Sequence, residues 1–166
     1  MRFLLVDRLL QIETGKSLVA AKCVALSEDY FADHFPGFPV MPGSLILEGF
    51  EQASHLLMGV SSDFTRAATL RRVSRGSFRR LVRPGDRLLL RVSLARFTET
   101  DAQVQADATS DGEKVADARL EFNLQDAEDD PEAARRCRRL REFYHLLTVD
   151  PAEVAGAHWA RRVGSG

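Results

Sequence analysis

Residues 34–52 read His-Phe-Pro-Gly-Phe-Pro-Val-Met-Pro-Gly-Ser-Leu-Ile-Leu-Glu-Gly-Phe-Glu-Gln, and they place an imidazole, His34, ahead of a carboxylate, Glu48, set among apolar residues. Pro36, Pro39 and Pro42 fix φ and remove N–H donors, which predicts a stiff extended loop rather than a strand. A helix is expected from Ser44 to Val60, where there is no proline and the only glycines are the isolated Gly49 and Gly59. Gly43, at the mouth of that helix, lets another molecule approach free N–H groups where the helix dipole is positive. An imidazole, a carboxyl in apolar surroundings and a helix N-terminus are the parts needed to take a proton from beside a carbonyl and expel a hydroxyl.

Each residue also has a plainer use. A loop histidine alone is more often a hydrogen-bonded residue than a base, but a neutral imidazole with an ordinary pKa near ~6.5 suits proton abstraction near neutrality. A glutamate is usually solvated, yet Leu45, Ile46, Leu47 and Phe50 leave Glu48 little polar face. Apolar surroundings favour the protonated carboxyl, the form that can give a proton to a departing hydroxyl. Gln52 follows at i,i+4 spacing and can reach Glu48. Gly43 serves equally as a turn residue.

The elements that must position these groups follow from periodicity. Strands are expected at 3–13, 17–26, 67–78, 87–97, 102–109 and 114–124, with turns at Thr14-Gly15-Lys16, Pro84-Gly85-Asp86, Thr98–Asp101 and Asp111-Gly112. A short helical turn capped by Ser27 is expected at 27–31. Apolar residues wrap most of the Ser44–Val60 helix, which predicts burial on nearly all sides. One long apolar helix against a run of antiparallel strands is an α+β layout. From Gln125 the sequence turns acidic and loses its strand signal. This divides the chain into a domain over 1–125 and an acidic linker with a helical extension over 126–166. Pro131 suits the first helical position, and Ala134, Cys137, Leu140, Tyr144 and Leu147 recur at helical spacing, so a helix is expected over 131–147 with a short second one after Asp150-Pro151.

Composition narrows the function. The chain has 166 residues, is 45% hydrophobic and carries a formal net charge of −1, enough for one core and with no global pull toward nucleic acid or anionic membrane. Cys23 and Cys137 are too few for a disulfide framework, and the sequence carries neither a secretory signal pattern nor an apolar run of membrane-spanning length, so a cytoplasmic protein with reduced thiols is expected. His34, His55, His145 and His158 show no metal-ligand spacing, and no glycine loop suits a nucleotide phosphate. Nine arginines lie between Arg71 and Arg96 against a single acid, Asp86. Most are expected to be solvated, but a local positive field would suit an acidic partner, with Arg79, Arg80 and Arg83 as its centre.

The pattern H-F-P-G-x-P-x-M-P-G-x-L-x-x-E-x-x-x-Q resembles the 3-hydroxyacyl-[acyl-carrier-protein] dehydratases of bacterial fatty-acid synthesis, the FabZ type. Phe3–Arg8, Gly15–Lys22 and Ser77–Asp86 resemble that family's opening strand, first hairpin and F-R-x-x-V-x-P-G-D element, so the resemblance spans roughly 3–124. It implies a hot-dog fold, a curved antiparallel sheet wrapped around one long central helix. It implies dehydration of (3R)-3-hydroxyacyl-[acyl-carrier-protein] to the trans-2-enoyl product, with His34 as base, Glu48 of the partner subunit as acid, Gly43 at the oxyanion site and Gln52 steadying the acid. No cofactor is implied, because the substrate arrives on the phosphopantetheine of an acyl carrier protein. The implied assembly is a homodimer with shared sites, or a higher oligomer or heterodimer.

Two residues depart from the family. Asp33 stands where a glycine usually precedes the histidine, and Glu51 where small apolar residues are common. Together with a chain that opens at the first strand, they point to a specialised relative in polyketide or other secondary metabolism. The competing readings are a non-catalytic hot-dog subunit of a heteromeric dehydratase, against which the His34 and Glu48 pair counts, and a hot-dog thioesterase, which should lack that pair. Isomerisation to the cis-3-enoyl product is disfavoured, because the related bifunctional enzymes carry aspartate at the position of Glu48.

Overall fold

Branched and apolar residues alternate with polar ones along the strand segments, and the computed structural model, which describes residues 3–148, joins them into one six-stranded antiparallel sheet. Its strands are β1 (Arg8–Glu13), β2 (Ser17–Cys23), β3 (Arg66–Phe78), β4 (Arg87–Phe97), β5 (Asp101–Ser110) and β6 (Glu113–Asp126). They lie in the order β1-β2-β4-β5-β6-β3, which leaves β1 and β3 as the edges. Two hairpins need left-handed backbone at their turns. Gly15 has φ +74°, and Asp111-Gly112 has φ +52° and +80°, the primed-turn geometry that matches strand twist.

The central helix, α1 (Gly43–Ser61), packs against β2, β3, β4, β5 and β6. A sheet that reaches one helix with five strands must curve around it. Register slips in the β1–β2, β3–β6, β4–β5 and β5–β6 ladders supply bulges that bend the strands. Phe50, Ala53, Leu56 and Leu57 of α1 are fully buried among Leu18, Leu88, Leu90, Val104, Leu120 and Phe122. Burial is less complete than the sequence pattern predicts: Leu45, Leu47, Glu48 and Glu51 are only half-buried, leaving part of the first two turns open.

Three local expectations are corrected. The first strand enters the ladder only at Arg8, because the segment before it is drawn toward α1. The second strand ends at Cys23, where the chain turns to pair with the Pro84–Asp86 turn through Val24. Ser27 caps nothing. The short 3₁₀ turn at Asp29–Phe31 starts from Glu28, whose carboxylate is occupied instead by Lys22 at 2.7 Å.

The second helix, α2 (Pro131–Thr148), starts at the expected proline, and Asp130 Oδ1 accepts the amide of Glu132 at 3.0 Å. It buries Ala133 and Cys137 against Ala67 of β3, and Leu140 reaches the backbone of α1 at Gly59, where a Cβ would come within 2.8 Å of it. The second short helix expected after Asp150 lies outside the described residues.

Lys22 is 5% exposed and lies between Asp7 Oδ1 at 3.2 Å and Glu28 Oε1 at 2.7 Å. Burial alone would lower its pKa, but the bonds to Glu28 and Asp7 outweigh burial and hold it above the ordinary lysine value. Asp7 Oδ2 also accepts the amide of Cys23, so this cluster clamps the start of the chain to β2. Lys22→Ala leaves two carboxylates facing each other, and a loss of about 2–3 kcal/mol is expected in urea unfolding, discounted for the partial exposure of Asp7. A change within a few tenths of a kcal/mol would show that the clamp is immaterial.

Candidate active site

His34 sits in the proline loop, half-buried, with its Nδ1 2.9 Å from the carbonyl of Val40. A carbonyl can only accept, so Nδ1 carries a proton, and in the neutral imidazole Nε2 then holds the lone pair that a base requires. The loop holds this geometry itself. Phe38 N–H donates to Phe35 O, Val40 N–H to His34 O, and Met41 N–H to Val82 O at 2.8 Å, while Gly37 adopts φ +80° at the turn. The Phe35 ring stacks on the imidazole with centroids 4.2 Å apart. Asp33 is exposed.

At the start of α1, the Pro42 carbonyl takes the amides of Leu45 and Ile46, whereas the amides of Gly43 and Ser44 donate to no acceptor among the described residues. Gly43 has a packing reason as well, since a Cβ there would meet the Phe78 ring at 3.0 Å. Both uses of the glycine coexist: close packing by Phe78 and free donors at the positive end of a 19-residue helix.

Glu48 lies one turn in from this end. Gln52, 2% exposed, donates from Nε2 to Glu48 Oε1 at 2.8 Å and to Phe3 O at 2.9 Å, and its Oε1 accepts Leu5 N–H at 2.9 Å. The i,i+4 contact expected from sequence is present. The two backbone contacts are additional, and they explain why the N-terminal segment leaves the sheet to run along α1. Among the described residues no hydrogen bond or ion pair joins His34 to Glu48 within one protomer.

The same face of α1 carries two groups that the sequence reading did not assign. Glu51 is held above its ordinary pKa by burial and by the charge of Glu48, with Arg136 opposing. His55 is pushed down to about 4 by burial, helped by Arg136. Its Nε2 is 3.8 Å from Glu51 Oε1, beyond hydrogen-bond reach, and is sealed from solvent without a partner. The spacing Glu48, Glu51, Gln52, His55 was the available signal, because i, i+3, i+4 and i+7 share one helical face.

The arginine segment is largely neutralised by acids from neighbouring strands. Arg71 and Arg72 pair with Glu121, Arg75 and Arg79 with Asp117, Arg80 with Asp86 and Glu113, Arg91 with Asp107, and Arg96 with Asp101. Arg83 and Arg87 have no ion-pair partner among the described residues. The Arg83 guanidinium lies 4.7 Å from the centroid of the Phe38 ring, on a rim with the exposed Phe35, Phe38 and Leu81. Of the three arginines expected to form a docking centre, only Arg83 retains an uncompensated charge, and it stands beside the His34 loop.

Comparison with known proteins gives the family and the fold. The model of the FabA-like domain family matches residues 1–119. The chain is 40% identical over 123 residues to the 3-hydroxyacyl-[acyl-carrier-protein] dehydratase FabZ of Bacillus pumilus, covering 74% of this chain and 85% of that one. It is 41% identical over 120 residues to the FabZ of Oenococcus oeni, covering 72% and 86%. Among solved structures, smu.793 of Streptococcus mutans bound to acetyl CoA matches with TM-score 0.59 at 20% identity, covering 72% of this chain and 88% of that one. The dehydratase heterocomplex ApeI:P of Xenorhabdus doucetiae matches with TM-score 0.58 at 14% identity, covering 71% and 96%. The sheet wrapped around α1 is a hot-dog fold.

Two measurements test the helix face. Gln52→Leu removes the acceptor of a buried amide at Leu5 and the donor to Glu48 and Phe3 O, so it should cost about 1–3 kcal/mol in urea unfolding; an unchanged midpoint would mean that water replaces all three bonds without loss. His55 has a folded pKa below its unfolded one, so the unfolded chain binds more protons between about pH 6.5 and about pH 4, and stability falls as pH drops through that window. The contribution is at most about 3 kcal/mol, and Glu51, whose pKa is raised, works in the opposite direction over its own range. Urea stability of the parent protein should fall more steeply there than that of His55→Gln. Equal slopes would mean that His55 takes its proton as readily folded as unfolded.

Proposed function

The chain belongs to the FabZ-type 3-hydroxyacyl-[acyl-carrier-protein] dehydratases, and we propose that it performs their reaction with His34 of one protomer facing Glu48 of another. It is an enzyme of fatty-acid biosynthesis that removes water from a 3-hydroxyacyl chain. The observation that supports the assignment of roles is the Nδ1-to-carbonyl bond of His34, which makes Nε2 the nitrogen left to act as the base, in a loop stiffened by backbone bonds.

In the proposed mechanism the thioester carbonyl rests against the free amides of Gly43 and Ser44. Negative charge develops on its oxygen as His34 Nε2 takes a proton from C2, and preorganised donors at a helix end stabilise that charge without reorganising. Glu48, held by Gln52, gives a proton to the 3-hydroxyl. The C3–O bond breaks, water leaves, and the electron pair released at C2 forms the C2=C3 double bond. The proton on His34 and the deficit on Glu48 are then balanced by exchange with solvent. No electrons are exchanged with a cofactor.

A shared site is supported by two features of the protomer. His34 and Glu48 make no direct contact within it, and β3 is a 13-residue edge strand that pairs with β6 alone among the described strands, although α2 packs against part of it. Long open edges invite pairing, and a second copy added there would continue the sheet into a homodimer. The domain boundary proposed at residue 125 falls at the end of β6, with α2 as an appendage docked on β3 and α1. Both described cysteines are free, which fits a reducing cytoplasm. Carrier-protein docking is assigned to the rim around Arg83, with Arg79 and Arg80 contributing less because carboxylates already occupy them.

His34→Ala and Glu48→Gln should each lower dehydration by at least about 10²-fold while leaving the fold intact. Near-normal turnover by either folded variant removes the assignment. Mixing the two inactive proteins should restore activity, and no rescue despite demonstrated subunit exchange argues against a shared site. Arg83→Glu should weaken turnover of carrier-linked substrate more than Arg79→Glu or Arg80→Glu, with less effect on a small thioester, and salt should erode the difference. Indifference to both salt and charge reversal would move docking to another surface.

A further inference from the structure

Phe78 is the last residue of β3 and one of the large apolar side chains that the protomer leaves open, 49% exposed. Its other side is closed. A Cβ at Gly43 would lie 3.0, 3.1 and 3.3 Å from Cε1, Cζ and Cδ1 of the ring, so the ring is seated on the backbone of the first residue of α1. The end of the edge strand and the mouth of the central helix meet at this contact.

Helix geometry decides which side of Gly43 the ring takes. Each Cα–Cβ bond of an α-helix tilts toward the N-terminus, and the unpaired N–H groups of the first turn point the same way. A ring in the place of a Gly43 Cβ therefore stands beside the space into which the amides of Gly43 and Ser44 point. Neither amide donates to an acceptor among the described residues. An oxygen that accepts from the Gly43 amide lies about 2.9 Å from its nitrogen. The atoms bonded to the carbon of that carbonyl then come within about 4 Å of the open part of the ring, the distance of ordinary apolar contact.

The neighbouring residues leave this space clear. Gly76, two residues back on the same face of β3, has no side chain, and a Cβ there would meet nothing closer than Leu47 Cδ2 and Val73 Cγ1 at 4.0 Å. Leu47 and Glu48 of α1 are half-buried. A second strand added at the edge of β3 would use the strand's backbone, while the Phe78 ring leaves β3 on the face turned to α1. The ring thus keeps its place in a site shared between subunits.

We propose that Phe78 is a positioning residue of the dehydration, a flat wall that aligns the thioester carbonyl with the amides of Gly43 and Ser44. This inference rests on the dehydratase reading and adds a residue that acts at the thioester, apart from carrier docking and from the proton transfers. Without the ring the carbonyl has room to swing off its donors. The loss is felt as negative charge develops on the oxygen, so it falls on kcat more than on KM.

The test uses the full chain and two 3-hydroxyacyl thioesters, one linked to a carrier protein and one to a small thiol. Phe78→Ala should lower kcat by at least about 10-fold on both, alike at low and high salt, with KM changed by less than about threefold. Arg83→Glu differs, because its effect should fall on the carrier-linked substrate and respond to salt. Phe78→Tyr keeps the ring and should hold kcat within about threefold of the parent, whereas Phe78→Leu fills the contact on Gly43 without a flat face and should stay at least about fivefold low. The leucine variant carries the test if the alanine variant fails to fold. A folded Phe78→Ala within about threefold of the parent kcat overturns the proposal. So does a loss confined to the carrier-linked substrate, or a leucine variant as fast as the tyrosine one, which would make the ring a packing residue only. Absence of dehydration by the parent on both thioesters overturns the dehydratase reading, and this inference with it.

Discussion

A helix sunk into a sheet can carry a polar side chain on its buried face only where that side chain finds partners, and at Gln52 the fold meets this condition three times over. Its amide bonds Glu48, Phe3 O and Leu5 N–H, so one side chain joins the proposed acid, the central helix and the first segment of the chain. An unmet amide at this depth would cost more than any single bond contributes. The departure of residues 3–5 from the sheet and the fixed position of Glu48 on α1 both follow from it.

The site is built from two kinds of rigidity. The His34 loop is stiff because prolines restrict its backbone and the N–H groups of Phe35, Phe38, Val40 and Met41 are hydrogen-bonded, while the Val40 carbonyl fixes a proton on the imidazole Nδ1. The start of α1 is rigid because it is one end of a helix packed on five strands, and its first amides have no internal acceptor by the nature of a helix. The proposed base and the proposed oxyanion donors therefore need no rearrangement to act. Along α1 polar side chains continue as a row, Glu48, Glu51, Gln52 and His55, that leads away from the helix mouth toward Arg136 of α2.

Electrostatics changed most between chain and fold. In sequence, the segment from Arg71 to Arg96 is a block of positive charge. In the sheet, β6 and β5 set Glu121, Asp117, Asp107 and Asp101 within reach of those arginines, while Asp86 and Glu113 take Arg80. Most of the arginine ends are exposed, which limits what these pairs contribute to stability. Their effect is to localise the remaining positive charge, so that Arg83 stands out beside two exposed phenylalanines at the rim of the His34 loop.

The sequence by itself determined everything that depends on neighbours a few residues apart. The proline loop, the extent of α1, the reach of Gln52 to Glu48, β4 from Arg87 to Phe97 and the start of α2 at Pro131 follow from local backbone limits and from periodicity. Ser27 shows the limit of local reasoning, because the cap position went to Glu28, whose carboxylate was claimed by Lys22 from another strand. Tertiary structure alone decided which carboxylates cancel which arginines, why the first residues abandon the sheet for α1, and that α2 roofs a cavity over His55. Each of these is a meeting of groups tens of residues apart, and no periodicity encodes such meetings. They are settled only when the sheet curves around the helix and the segments at Phe3–Leu5 and Pro131–Thr148 come to rest on it.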